Sequence, residues 1–221
     1  MEVSLYHTIG RLTRYWRTLK DLASEGETHV YSHLLAAKAQ VTAAQVRRDL
    51  MVAGGTGTPA RGYDVKKLCE HIEAFVFPTK EQKVAIAGLG NVGLAMLKFF
   101  IGQRPFLTIA ASFEADHEKF DRVIGGCRCY SIEKAADVIR DEGITVGIIA
   151  VPDRESQYVA DVFIKAGVRG ILNFARTPLK APEGVYVEDI DLATSMDRVA
   201  YFARQSLKSE VTETGRRSAG Y

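Results

Sequence analysis

Residues 84–95 read VAIAGLGNVGLA, an apolar run that leads through a Gly-x-Gly-x-x-Gly turn into an apolar helix. In such a strand–turn–helix unit, Gly88 permits the tight turn, Gly90 lets the backbone approach a pyrophosphate, and Gly93 allows close packing of the helix on the strand. The free amides at the start of the helix also attract phosphate charge. The stretch therefore predicts a dinucleotide site, although a purely structural turn can share the pattern.

Predicted strands and helices alternate from residue 83 onward. We predict strands at 83–87, 107–113, 144–151 and 170–174, and helices at 92–101, 131–142, 155–166 and 191–205. Such alternation is typical of α/β proteins, in which helices cover both faces of a parallel sheet. The turn after the first strand would then belong to a Rossmann-like domain.

Glu114 stands at the end of the second predicted strand, 21 residues after Gly93. A carboxylate at this place can accept hydrogen bonds from the ribose hydroxyls of a dinucleotide, and it repels the 2′-phosphate of NADP. The sequence therefore predicts NADH or NAD⁺ as the ligand rather than the phosphorylated forms.

The first third of the chain follows a helical pattern. An amphipathic helix that ends near Gly26 is predicted from apolar residues at Leu12, either Tyr15 or Trp16, Leu19 and Leu22. A second helix begins near Ser32. A third begins at Thr42-Ala-Ala-Gln45, a capping box in which each side chain bonds the other residue's backbone amide. The Gly-rich stretch 54–65 then reads as a small hairpin or wing.

Two short helices joined by a tight turn describe a helix-turn-helix. Arg47 and Arg48 lie on its second helix, where arginine can contact phosphates or take both acceptors of a guanine, and Gln45 suits adenine. Between Lys38 and Lys67 there are six basic and two acidic residues. DNA binding is one interpretation of this surface, and an ordinary solvated helix face is the other.

Composition excludes several classes of protein. The 221 residues are 47% hydrophobic, enough for one domain or two small ones, and the net charge of +2 indicates no particular partner. No apolar run approaches the roughly 18 residues of a membrane helix, and three cysteines argue against a disulfide framework. We expect a cytoplasmic protein.

Catalytic or metal chemistry finds little support in the sequence. A dehydrogenase needs an acid or base beside the nicotinamide, but the five histidines are scattered and almost nothing remains for a substrate domain. Cys127 and Cys129 place two thiols on one face of a strand, where small apolar filling is a simpler interpretation than a redox or metal site. An NAD-dependent dehydrogenase and a sensor of another nucleotide, such as CoA, remain the alternatives.

Taken together, the motifs resemble the Rex redox-sensing transcriptional repressors of bacteria. The resemblance runs from about residue 5 to 205 and includes TAAQVRRDL (42–50), RGY (61–63), GLGNVG (88–93), AVP (150–152), GVRGILNF (167–174) and VEDIDL (187–192). It implies a homodimer whose terminal helix reaches across to the partner subunit. It also implies that the protein binds palindromic operator DNA and that NADH releases it.

The resemblance further implies roles for individual residues. Those expected around the adenosine and pyrophosphate are Gly88, Leu89, Gly90, Asn91, Val92, Gly93 and Glu114. Those expected along the nicotinamide are Val151, Pro152, Asn173 and Phe174. Those expected to contact DNA are Arg11, Thr42, Gln45, Arg47, Arg48 and Arg61. A contact between Arg17 and Asp191, together with Leu192, would belong to the switch and the dimer interface.

The sequence departs from the family pattern at four places. The recognition helix continues with Met51-Val-Ala-Gly54 instead of Ser-Tyr-Phe-Gly, and Pro59 stands where the wing usually carries a basic residue. Arg176 replaces a common proline, which puts a cation near the expected dinucleotide site. Phe99 lacks the hydroxyl that a tyrosine supplies in some relatives, so we expect the switch to depend more on domain packing.

These features give a predicted division of the chain. Residues 1–78 form a winged helix-turn-helix DNA-binding domain, and residues 79–190 form a Rossmann NAD(H)-binding domain. Residues 191–206 form a swapped dimer-exchange helix, and residues 207–221 are expected to be disordered because they are polar and lack periodicity.

Overall fold

A computed structural model describes residues 2–55, 57, 61–100 and 106–218. It divides into two compact units, residues 1–81 and residues 82–221. The division lies three residues after the predicted boundary at 78/79. Within the predicted wing, residues 56 and 58–60, which include Pro59, lie outside the described residues.

The N-terminal unit is helical, with one small antiparallel ribbon. Its helices are α1 (Glu2–Ser24), α2 (Ser32–Ala39), α3 (Ala43–Val52) and α4 (Val65–Val76). The ribbon joins β1 (His29–Val30) to β2 (Tyr63–Asp64), which is the described strand of the predicted wing. Gly62 has a φ of +69°, and a Cβ there would lie 2.7 Å from the carbonyl oxygen of Val30, so this turn requires glycine.

The core of the N-terminal unit confirms the predicted apolar periodicity. Its fully buried side chains include Leu12, Tyr15 and Leu19 of α1, Val46 and Leu50 of α3, and Ile72 of α4. Residues three or four apart on a helix share a face. The buried stripe of α1 therefore holds α3 and α4 around one hydrophobic cluster.

The C-terminal unit is a sheet covered by helices. Its strands are β3 (Gln82–Ala87), β4 (Leu107–Glu114), β5 (Val123–Ile124), β6 (Cys127–Ser131), β7 (Val146–Ile149), β8 (Gly170–Asn173) and β9 (Tyr186–Asp189). Its helices are α5 (Asn91–Phe100), α6 (Ala135–Glu142), α7 (Asp153–Ala166) and α8 (Leu192–Ser218).

The strands lie in the order β5-β6-β4-β3-β7-β8-β9, and every neighbouring pair is parallel except β5 with β6. The predicted Rossmann-like sheet is therefore confirmed. A separate core covers each face, one around Phe113, Ile139 and Phe163 and the other around Ile86 and Leu97. The chain reverses its direction of travel across the sheet at β3, which opens a crevice at the carboxyl ends of the strands.

Helix α8 corrects one prediction. Residues 207–218 were expected to be disordered, but the backbone is helical as far as Ser218. Extending an existing helix costs much less than nucleating a new one, so a polar segment can continue a helix that begins at Leu192. Residues 219–221 lie outside the described part of the chain.

Candidate functional site

A cleft of about 440 Å³ lies at the carboxyl ends of β3, β4, β7 and β8. Its walls include most of the residues predicted for the dinucleotide. The residues that line it are Gly88, Gly90, Val92, Glu114, Lys119, Ala150, Val151, Pro152, Asp153, Phe174, Ala175 and Arg176. Ligands of open α/β sheets bind at such a crevice.

The glycine turn has the geometry that the sequence predicts. Gly88 has a φ of +89°, and a Cβ there would lie 2.4 Å from the carbonyl oxygen of Ala150. A Cβ on Gly93 would lie 1.8 Å from the carbonyl oxygen of Gly88, so α5 packs on the turn at a distance that only glycine allows. Gly90 has open space beside it. Its missing side chain leaves room for a phosphate to approach the backbone.

The other members of the turn differ in exposure. Leu89 is buried in the core, where it anchors the turn, and Val92 is exposed toward the cleft. Asn91 is the first residue of α5. The amide of Leu94 donates to the carbonyl of Gly90, so the amides of Asn91, Val92 and Gly93 form the start of the helix, where they can face an anion.

Glu114 ends β4 at one end of the cleft, and it has a partner that sequence reasoning missed. Lys119 Nζ lies 2.6 Å from Glu114 Oε2 and 3.8 Å from Asp116 Oδ2. The hydrogen bond to Glu114 raises the pKa of Lys119. The amide of Leu89 also donates weakly to the Glu114 carboxylate, at 3.4 Å. The carboxylate therefore already faces the glycine turn.

A second ion pair stands at the opposite end of the cleft. The backbone amide of Arg176 donates to Asp153 Oδ1 at 2.9 Å, and its guanidinium bonds Asp153 Oδ2 at 2.9 and 2.7 Å. Hydrogen bonds from Arg176 hold the pKa of Asp153 below its usual range, and the bond from the backbone amide has a larger effect than the bond from the guanidinium. The predicted cation at Arg176 is therefore in the cleft, but it is paired with a carboxylate that the sequence analysis did not single out.

The predicted nicotinamide residues divide into two groups. Val151, Pro152 and Phe174 line the cleft. Asn173 does not, because it is fully buried at the end of β8. Its side-chain amide donates to Asp189 Oδ1 at 2.7 Å, and its oxygen accepts from the amide of Ala175 at 3.0 Å. Asn173 thus shapes the loop after β8, and a direct contact with a ligand stays a prediction.

The predicted switch residues belong to different units, and each is described within its own unit. Arg17 is exposed on α1. Asp191 accepts hydrogen bonds from the amide and hydroxyl of Thr194, and it caps the first turn of α8. Both bonds lower the pKa of Asp191, and the bond from the Thr194 hydroxyl has the larger effect. Leu192 is exposed on the same helix, and Phe99 is exposed on α5. The pairing of Arg17 with Asp191 stays a prediction.

The start of α3 confirms half of the predicted capping box. Thr42 Oγ1 accepts from the amide of Gln45 at 3.1 Å. The Gln45 side chain, however, does not reach back as predicted, because its nitrogen donates to Asp49 at 2.8 Å and its oxygen accepts from Arg48 at 2.9 Å. Arg47 and Arg48 are both exposed on this helix. Arg61, at the wing, is exposed as well.

Asp49 is the buried centre of a network that the sequence analysis missed. Its side chain is 2% exposed, and Arg11 bonds it through Nε at 2.6 Å and Nη2 at 2.8 Å. The Tyr15 hydroxyl donates to the same carboxylate at 2.9 Å. Arg11, predicted to contact DNA, therefore fixes α3 against α1 through two hydrogen bonds of its guanidinium. Any DNA contact of Arg11 stays a prediction.

The two strand cysteines lie in the core. Cys127 and Cys129 are buried on one face of β6, and burial raises the pKa of both thiols. This is the environment expected of small apolar filling. Among the described residues, no group of three or more His, Cys, Asp or Glu is arranged to hold a metal ion.

Two family models match the chain, one in each unit. The model for "Putative DNA-binding protein N-terminus" matches residues 6–50, and the model for "CoA binding domain" matches residues 79–177. The first range runs from within α1 to within α3, and the second includes the glycine turn and the residues that line the cleft. The two matches agree with a DNA-binding unit followed by a nucleotide-binding unit.

Relatives of nearly full length decide the family. A redox-sensing transcriptional repressor Rex of Roseiflexus sp. (strain RS-1) is 39% identical over 91% of this chain and 91% of the relative. The chain belongs to the Rex family. Rex of Carboxydothermus hydrogenoformans is 36% identical over 90% of this chain and 95% of its own. The prediction of a transcriptional repressor rather than an enzyme is thereby confirmed.

Solved Rex structures share the fold. The Rex-family repressor RSP, in complex with β-NAD⁺ and operator DNA, is 29% identical, covers 94% of this chain and 96% of its own, and superposes with a TM-score of 0.85. RSP in complex with β-NADH covers 93% of this chain and 97% of its own, with 28% identity and a TM-score of 0.80. Among the described residues of this chain, no helix has the length and apolar character to span a membrane.

Proposed function

We propose that this Rex-family protein is a homodimeric repressor that binds a palindromic operator and leaves it when NADH occupies the cleft. One observation carries the proposal. A dinucleotide cleft with a carboxylate at its adenosine end is joined, in a single chain, to a helix-turn-helix unit with two exposed arginines. We place this activity in the cytoplasm, where the operator DNA would be.

The topology supports an orientation for the ligand in the cleft. Glu114 follows β4, which lies on one side of β3, whereas β7 and β8 lie on the other side. With the ribose hydroxyls on Glu114 and the pyrophosphate at the glycine turn, the nicotinamide extends toward Val151, Pro152 and Phe174. The apolar walls there suit a reduced, uncharged ring. An NAD⁺ ring loses solvation in the same place and fits less well.

An exposed apolar stripe on α8 supports a homodimer. Leu192, Met196, Val199 and Phe202 are each between 64% and 66% exposed. These residues recur every three to four positions, so they form one helix face. An apolar stripe of this length on a single chain is typical of an interface. A partner subunit that receives α8 would cover the stripe.

The helix-turn-helix supplies the DNA contacts in this proposal. Near the start of α3, Arg47 donates to the Ser32 hydroxyl and Arg48 to the Gln45 side chain, and neither forms an ion pair with any carboxylate in the described part of the chain. Thr42 caps that end of the helix. In a dimer, two such helices must be about 34–36 Å apart to enter successive major grooves. A ligand that favours a dimer with another spacing weakens DNA binding by the same factor by which DNA weakens ligand binding.

The test is a binding titration on a palindromic operator at fixed salt. We expect NADH to lower the affinity for DNA, NAD⁺ to leave it high and NADPH to have little effect. The proposal is wrong if NADH binds the protein and leaves the operator affinity unchanged. Net oxidation of NADH with an added carbonyl substrate would favour a dehydrogenase, and release by CoA would favour a sensor of that nucleotide.

Replacing Arg48 by alanine is expected to weaken operator binding by about 10- to 100-fold, because a base or phosphate contact by arginine is worth about 1–3 kcal/mol. The NADH affinity should not change. Arg140→Ala, which removes an exposed arginine from α6, is the matched control for net charge. Loss of both affinities in Arg48→Ala would instead point to misfolding, which the far-ultraviolet circular dichroism spectrum would reveal.

Replacing Glu114 by glutamine is expected to reduce the preference for NADH over NADPH. The change removes the repulsion of a 2′-phosphate and leaves Lys119, now 2.6 Å from the Glu114 carboxylate, available to that phosphate. The NADH affinity should fall about tenfold with the loss of a charged acceptor. Calorimetric titration with both nucleotides measures the ratio. Glu118→Gln, at an exposed carboxylate of the same segment, should leave the ratio as it is.

A further inference from the structure

The ion pair between Asp153 and Arg176 bridges two loops of the cleft. Asp153 begins α7, directly after Pro152, and Arg176 follows β8 by three residues. Three bonds join the two residues, one from the Arg176 backbone amide and two from its guanidinium. Both residues line the cleft beside Val151 and Phe174. A carboxylate and a cation therefore stand together at the end opposite Glu114.

In the proposed orientation, this end of the cleft receives the nicotinamide ring, which is the part of the dinucleotide whose charge changes with its redox state. The oxidised ring carries a positive charge and the reduced ring carries none, while the phosphates and sugars are the same in both. A carboxylate without a partner here would attract the oxidised ring. A carboxylate that a guanidinium already neutralises offers it almost no net attraction.

We propose that Arg176 sets the redox selectivity of the cleft by occupying the Asp153 carboxylate, so that the positive nicotinamide ring cannot use it. The inference rests on the proposed function in two respects: the ligand is a nicotinamide dinucleotide, and its ring lies at the end of the cleft that holds Val151 and Phe174. Arg176 acts on selectivity through Asp153, and it is a positioning residue rather than a direct ligand contact. The reduced ring of NADH is uncharged, so its affinity for the cleft does not depend on a free carboxylate.

The backbone hydrogen bond between residue 176 and Asp153 allows the charge effect of the Arg176 side chain to be distinguished from a structural effect. The amide of residue 176 bonds Asp153 whatever side chain follows, so the carboxylate stays in place when the guanidinium is removed. The Arg176 side chain is 78% exposed, and exposed ion pairs add little to stability. Arg176→Gln should therefore fold like the natural sequence and present an unneutralised carboxylate to the cleft.

The experiment compares NAD⁺ and NADH binding by calorimetry, using the full chain at fixed salt. In Arg176→Gln, we expect the NAD⁺ affinity to rise about five- to tenfold, while the NADH affinity changes less than about twofold. The double variant Arg176→Gln with Asp153→Asn should return the ratio close to that of the natural sequence. Arg140→Gln has the same net charge change but lies outside the cleft, and it should leave the ratio unaltered.

Three results would overturn the inference. Equal weakening of both nucleotides in Arg176→Gln would mean that the guanidinium contacts a phosphate. An unchanged ratio would mean that the ring does not lie near Asp153, and a ratio in the double variant equal to that of Arg176→Gln would exclude the carboxylate as the cause. Operator release is recorded on the same samples. If the natural protein binds both nucleotides but NADH does not release DNA, the proposed function fails while the selectivity result still decides this inference.

Discussion

Replacing Asp49 by alanine is expected to lower the free energy of unfolding of the N-terminal unit by about 3 kcal/mol and to abolish tight operator binding. Removing one member of a buried ion pair costs about 3–5 kcal/mol, because the other charge is left without a partner. We take the lower end because Arg11 is 20% exposed and water can reach it, whereas Asp49 is 2% exposed. Urea or thermal unfolding of the full chain measures the change.

The loss of DNA binding has a geometric reason. Asp49 accepts from Gln45 on its own helix and from Arg11 and Tyr15 on α1. Gln45 in turn accepts from Arg48. Without the carboxylate, α3 loses its polar attachment to α1 and the exposed arginines lose a fixed orientation. The DNA affinity should therefore fall even at temperatures where the variant is folded.

The pH dependence of stability gives a second measurement on this variant. Burial alone would raise the pKa of Asp49, but hydrogen bonds from Arg11, Gln45 and Tyr15 outweigh it and hold the pKa below its ordinary value. The contribution of Asp49 is therefore complete above its unfolded pKa of about 3.9 and is lost as the pH falls through the lower folded value. The stability gap between the natural sequence and Asp49→Ala should be constant near neutral pH and narrow below about pH 4.

Two further variants test whether the effect of Asp49→Ala comes from the buried ion pair. Asp21→Ala removes an exposed carboxylate from α1 and should change stability by less than about 0.5 kcal/mol. The combination Arg11→Met, Tyr15→Phe and Asp49→Leu replaces the network with apolar groups of similar size, which often restores stability. A combination that is no more stable than Asp49→Ala would show that the charge left unpaired is not the cause.

The Asp49 network also shows what sequence patterns leave out. Periodicity places Val46 and Leu50 on the buried face of α3, and both are buried. Asp49 lies next to them on the helix, but a charged residue at the edge of an apolar face gives no sign of burial until its partner is known. That partner, Arg11, is 38 residues away. Local spacing therefore predicts the helices well and the polar contacts between them poorly.

The residues of the dinucleotide cleft also fall into two groups, those that the sequence predicts and those that it misses. The turn glycines and Glu114 are predictable because the backbone geometry or the ligand requires these residue types at these positions of a single βαβ unit. Lys119 and Asp153 are missed because their positions depend on how the loops after β4 and β7 close on the sheet. Asn173 is placed near the cleft by resemblance, yet its amide serves the loop after β8. The short edge strand β9 was also missed, since four residues without strict alternation give no strand signal.

Replacing Gly90 by alanine is expected to produce a repressor that binds its operator but needs about 10- to 100-fold more NADH for release. A Cβ on Gly90 meets no protein atom within 4 Å, so the variant should fold normally. The added methyl group stands where the backbone must approach the pyrophosphate. Overpacking of a close contact costs about 1–3 kcal/mol, so the NADH affinity should fall about 10- to 100-fold. Calorimetry and operator titration measure the two effects.

The neighbouring glycine provides the decisive contrast. In Gly93→Ala the new Cβ would lie 1.8 Å from the Gly88 carbonyl oxygen, which is backbone and cannot rotate away. That variant should lose both NADH binding and thermal stability, because α5 must move off the turn. Gly170→Ala, which also has open space and lies outside the cleft, should resemble the natural sequence in both respects. If Gly90→Ala were released by NADH as readily as the natural sequence, the phosphates would not cross the glycine turn, and the assignment of the cleft would have to be abandoned.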